Sequence, residues 1–101
     1  MSNVFGTNLL TVDGANIKTG QTAVSTASIQ LTTETGPLTH GIFITAVTSA
    51  SYYFTCDGTT ALTTNGVLVK ANNPLFIPIK DPSVINVIAS GSSKTLSFIM
   101  Y

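Results

Sequence analysis

The chain has 101 residues, of which only eight are charged, four of each sign and none of them arginine, while Ser and Thr together supply 27. That length suits one domain with a modest core, and four scattered lysines exclude the basic stripe that nucleic acids and anionic membranes require. A typical soluble domain is about one-quarter charged, so this surface stays wet on hydroxyls and amides and predicts contacts with other copies or other proteins.

In chain order, residues 1–20 carry turn punctuation (Gly6, Asp13-Gly14, Gly20) and two short apolar patches, Val4-Phe5 and Leu9-Leu10. This stretch reads as an extended N-terminal arm, and 21–101 as the folded domain. A strand is predicted over 27–31, broken by Thr33-Glu34-Thr35-Gly36-Pro37. The β-branched run 41–47 is followed, after a short break, by 52–56, a spacing that suggests a hairpin closed by Asp57-Gly58.

Asn65-Gly66 opens a strand over 67–70, and Asn72-Asn73-Pro74 ends it. Over 75–80 the two-residue period puts Leu75, Ile77 and Ile79 on one face and Phe76, Pro78 and Lys80 on the other. Pro78 makes this an edge strand or a bulged one, because proline donates nothing to a ladder. Asp81-Pro82-Ser83 is a turn in which the Asp side chain bonds ahead of the proline. Strands over 84–89 and 95–101 complete the chain, the last alternating Leu96, Phe98 and Met100 against Ser97 and pinning the C-terminus into a sheet. No window carries a helical stripe. The fold class is therefore all-β, an antiparallel β-sandwich or jelly roll of six to eight short strands.

The chemistry available is thin. His40 is the only histidine and Cys56 the only cysteine, too few for a zinc site, and nothing places a nucleophile and an orienting acid beside His40. His40 reads as a solvated residue at a strand start. Cys56 shares a strand face with Tyr52 and Phe54, the pattern of a small buried hydrophobe. Asp57 and Asp81 sit in turns, as does Asp13, so catalytic residues, cofactors and metals are all predicted absent.

No stretch reaches the roughly 18 apolar residues that span a bilayer, the first residues lack the pattern of a signal peptide, and a lone cysteine forms no internal disulfide. Synthesis in a reducing cytoplasm is expected. Tyr52 and Tyr53 are adjacent and so point to opposite faces, one into the core and one outward. With Phe76 and the arm residues Val4, Phe5, Leu9 and Leu10, they are the candidate interface residues.

The stretch 66–101 resembles small β-sandwich virion proteins of tailed bacteriophages, particularly capsid decoration or cement proteins. The pattern is carried by Gly66-Val67, Pro74-Leu75-Phe76-Ile77-Pro78-Ile79, Asp81-Pro82-Ser83 leading into Ile85-Asn86-Val87-Ile88-Ala89-Ser90-Gly91, and Leu96-Ser97-Phe98. The resemblance implies a structural protein on the capsid surface. Its partner would be the major capsid protein or another virion protein, and it would be a homo-oligomer, a trimer first, clamped to a neighbour by its arm. A neck, tail or fibre component of the virion, or a carbohydrate-binding sandwich that uses an exposed tyrosine, are the alternatives.

Overall fold

Two layers of strands face one another in this protein and bury the apolar side chains on their facing sides. The computed structural model describes residues 17–70 and 73–101. The described residues form eight strands: β1 (Lys18–Val24), β2 (Ile29–Gln30), β3 (Ile42–Ala46), β4 (Ser51–Thr55), β5 (Val67–Lys70), β6 (Leu75–Ile77), β7 (Asn86–Ala89) and β8 (Lys94–Met100). A single 3-10 turn, Pro82–Val84, precedes β7, and no α-helix occurs among the described residues. In that turn the Asp81 carboxylate accepts from the Ser83 amide at 3.0 Å, the local bond expected of an Asp-Pro-Ser turn.

The strands form two four-stranded sheets, in the orders β1-β8-β3-β6 and β2-β7-β4-β5. Every pairing is antiparallel. β1 pairs with β8, β2 with β7, β3 with β6 and β4 with β5, so the chain is one long folded-back ribbon rolled into two layers. That order is the jelly roll.

Both layers contribute to one core. Ile42 and Ile44 of β3, Leu96 and Met100 of β8 and Val24 of β1 come from the first sheet; Tyr52 and Phe54 of β4 and Val87 and Ala89 of β7 come from the second. Leu75, Ile77 and Ile79 pack against this core as their shared face requires, and β6 is an edge strand that stops before Pro78. The Tyr52 hydroxyl is satisfied by donating to the Thr48 carbonyl at 2.5 Å.

Two expectations from the sequence change. The predicted hairpin of 41–47 with 52–56 does not form, because β3 and β4 lie in different sheets. Each strand has an apolar face to bury, and facing each other across the core buries both at once; the link between them is held at its start by the Val47 and Thr48 amides, which both donate to the Thr95 carbonyl. The second change is β1, which runs through position 20 from Lys18 although its sequence Lys-Thr-Gly-Gln-Thr-Ala-Val lacks a β-branched run. Gly20 stands opposite Phe98, and the Phe98 ring covers the space a side chain would occupy there.

Gly41 enters β3 at φ 147°, and a Cβ there would collide with the Ile77 carbonyl oxygen and lie 2.9 Å from the Pro78 Cα. Gly58 also has positive φ, at 84°, but its Cβ would meet nothing within 4 Å. Gly41→Ala should therefore cost about 2–4 kcal/mol in urea unfolding, against about 1 kcal/mol for Gly58→Ala. Equal losses at the two positions would show that the close approach of β3 to β6 is not what requires glycine at 41.

Candidate interaction surface

The outward positions of the first sheet are read from its register. Thr19 of β1, Ile99 of β8, Phe43 of β3 and Phe76 of β6 stand side by side in one row across all four strands. Phe43, on an inner strand, is 36% exposed and Phe76, on the edge strand, 40%. The Tyr101 ring extends the row, its centroid 6.1 Å from that of Phe76.

The rest of this face is polar but uncharged. Gln21 and Ala23 lie outward on β1, Thr95 and Ser97 on β8, and Thr45 on β3. The Thr45 and Ser97 hydroxyls share a hydrogen bond of 2.9 Å. No Lys, Asp or Glu occupies an outward position of these strands. The surface is thus a flat apolar row edged by hydroxyls, the composition of a protein-binding patch.

The second sheet also carries an apolar row on its outer side, in which Ile88, Tyr53 and Leu68 are in register across β7, β4 and β5. Tyr53 is half-buried and Leu68 exposed.

The candidate residues read from the sequence are thereby separated. Val4, Phe5, Leu9 and Leu10 lie outside the described residues. Tyr52 is 1% exposed, inside the core, and has no surface to offer a partner. Tyr53 and Phe76 are outward on opposite sheets and do not share a site. The sequence reading missed Phe43, Ile99 and Tyr101. Their signal was available in the two-residue period: Phe43 is out of phase with Ile42 and Ile44, and Ile99 with Phe98 and Met100.

His40 is not a solvated residue. It is half-buried, its ring centroid is 5.4 Å from that of Tyr101, and its Nε2 is buried without a partner. Its backbone amide donates to the Tyr101 carbonyl at 2.7 Å, which draws the histidine against the end of β8. Cys56 is exposed rather than buried, because β4 stops at Thr55 and the Asp57-Gly58 turn ends the alternation one residue too early. Crowding by surrounding protein atoms, and then the neighbouring Asp57 carboxylate, pushes its thiol above the ordinary value.

Asp57 itself is held below the usual carboxylate range by the Thr59 hydroxyl and amide, which donate to it at 2.6 and 3.2 Å. Among the described residues no three His, Cys, Asp or Glu side chains gather where they could hold a metal ion. The one ion pair among them, Lys18 with Glu34 at 2.7 Å, borders a cleft of about 380 Å³ beside Tyr101.

Neither a family model, nor a curated protein, nor a solved structure matches the chain.

The raised thiol makes a reactivity prediction with a definite sign. Folded protein should react with a thiol reagent at Cys56, slowly at neutral pH and faster as pH rises, since only the thiolate attacks. Asp57→Asn should accelerate the reaction at a fixed pH by removing one of the two causes of the shift. Cys56→Ser should change unfolding stability by less than about 0.5 kcal/mol, as at other exposed positions. A thiol that reacts only after unfolding would contradict the exposed placement.

Proposed function

We propose that the chain is a structural protein of a tailed-phage virion, bound to the outside of the capsid as a cement or decoration protein. The observation that carries this reading is the uncharged outer face of the β1-β8-β3-β6 sheet, with Ile99, Phe43 and Phe76 in one row and Tyr101 beside it. The resemblance of 66–101 to such virion proteins supplies the class of partner, a capsid subunit. The jelly-roll layering supports the reading by giving that face a stiff backing, so that little order has to be gained on binding.

The mechanism is attachment by burial. An apolar row of this size buries a few hundred Å² against a partner, nominally several kcal/mol at about 25 cal/mol per Å² before ordering costs are subtracted. Each bound copy adds free energy to the assembled shell and none to its separated subunits, which shifts the equilibrium away from dissociation. Hydroxyls at the edge of the face donate and accept without the desolvation cost of charges. A neck or tail position in the virion would use the same physics with a different partner, and copies counted per particle separate the two.

The test uses heads that lack this protein, mixed with tagged variants, with copies bound and the temperature of head rupture as readouts. Phe43→Asp combined with Phe76→Asp should lower attachment at least about tenfold while leaving the β-type circular dichroism intact. Lys94→Ala should bind as the unaltered protein does. Removing residues 1–16 measures the share of the arm separately. If the double variant attaches normally, the face is not the contact; if the unaltered protein never attaches, the cement reading fails.

A further inference from the structure

At the end of the sandwich where β1 begins and β8 finishes lies a cleft to which attachment to a shell assigns no role. Lys18 opens β1 in register with Met100, one residue short of Tyr101. The segment between β2 and β3 closes the other side with Glu34, Pro37, Leu38 and Thr39, and the cleft they line with Lys18 and Tyr101 holds about 380 Å³. That volume is at the small end of the roughly 300–1,000 Å³ of small-molecule sites.

Both walls are held in place by backbone bonds. On one side the Leu38 amide donates to the Lys80 carbonyl at 2.8 Å. On the other, the Tyr101 carbonyl accepts from the His40 and Gly41 amides, and the Tyr101 amide donates to the Gly41 carbonyl at 3.0 Å. The Tyr101 ring sits beside those of His40 and Phe76, at centroid distances of 5.4 and 6.1 Å. A site built this way has little ordering left to do when a ligand arrives.

The lining chemistry selects the ligand. Lys18 Nζ donates to Glu34 Oε1 at 2.7 Å, and the two side chains are 55% and 42% exposed, so both can be reached. Their bond takes one of three ammonium hydrogens and one of two carboxylate oxygens. Among the described residues neither charged group has another hydrogen-bond partner. The pair therefore offers donors and an acceptor side by side, which matches two neighbouring hydroxyls. Its charges cancel, so a simple anion or cation gains little, and a zwitterion would have to split the bond between them. Tyr101, Pro37 and Leu38 supply an apolar wall suited to the C–H face of a sugar ring. The Thr39 hydroxyl adds one more donor and acceptor.

We propose that this cleft binds a neutral saccharide of one or two rings, its C–H face against Tyr101 and two adjacent hydroxyls bridging Lys18 and Glu34. One hydroxyl donates to the carboxylate and the other accepts from the ammonium, so charge-assisted bonds form without breaking the pair. Contacts this few correspond to a dissociation constant on the order of 1 mM.

Saccharide binding is a separate claim from attachment to a shell, although Tyr101 borders both surfaces. Its failure leaves the cement reading standing. Heads that take up Glu34→Gln as well as the unaltered protein would show that the cleft is not the shell contact.

Saturation-transfer NMR on the full chain, with glucose, galactose, mannose, N-acetylglucosamine, cellobiose and lactose as probes, should detect at least one ligand. Amide shifts in isotope-labelled protein should then move at Glu34, Thr39 and Tyr101. Glu34→Gln and Lys18→Met should each weaken binding about tenfold, and Tyr101→Ala at least as much, whereas Lys94→Ala should bind unchanged. Circular dichroism confirms that each variant is folded. Shifts centred elsewhere, a Glu34→Gln variant that binds as well as the unaltered protein, or inorganic phosphate or glycine held more tightly than every saccharide would each overturn the proposal. So would no binding of any probe at about 50 mM, far above the expected dissociation constant. Binding that appears only after removal of residues 1–16 would also overturn it, making that segment the occupant of the cleft.

Discussion

The burial of alternate β8 side chains, with β1 on one flank and β3 on the other, is the constraint on which the first sheet and both of its faces depend. Leu96 and Met100 reach the core, Phe98 packs against it and closes over Gly20, and Ile99 is left on the outer side between Thr19 and Phe43. Because side chains alternate with a period of two, a slip of one residue in β8 would carry Ile99 into the core and Met100 out of it. The core therefore fixes the outer row. The backbone of Tyr101 adds to this lock by exchanging hydrogen bonds with Gly41 and accepting one from His40.

Scarcity of charge has a double consequence in this fold. It leaves both outer faces almost free of desolvation cost, so that apolar rows there can be covered by a partner with little opposing penalty. It also removes the usual guard against unwanted association, and the molecule relies instead on short edges, a proline and one ion pair at three of its four sheet edges. At the fourth edge, β5, Val67 and Leu68 are exposed and the one charge is Lys70 at its end.

The loops do structural work that explains several polar residues without any chemistry. Thr55 and Asn86 both donate to the Thr59 carbonyl, Gln30 donates to the Ser83 carbonyl, and the Asn65 side chain bonds Leu62 and Thr60. Asp57 and Asp81 each bond the residue two ahead in their own turn. Asp57 thus holds the β4–β5 connection within the second sheet and Asp81 the β6–β7 connection between the layers, which is where isolated carboxylates in a charge-poor chain find their use.

How much was legible beforehand follows from the range of each interaction. The all-β class, the turn at Asp81, the inward side of 75–79 and the opposition of Tyr52 to Tyr53 were readable, because a period of two and a proline act within a few residues. Sheet membership was not readable: β3 and β4 looked like a hairpin by spacing, and only the need to bury Ile42 and Ile44 opposite Tyr52 and Phe54 set them in different layers. β1 was invisible for a similar reason, since Gly20 makes sense in a strand only once Phe98, far along the chain, covers it. Cys56 misled because alternation predicts a face only while the strand lasts, and the turn that ends β4 begins at that residue. Local geometry is encoded in neighbouring side chains, whereas the interaction faces are made by strands distant in sequence coming into register, and that register is decided by the core they jointly bury.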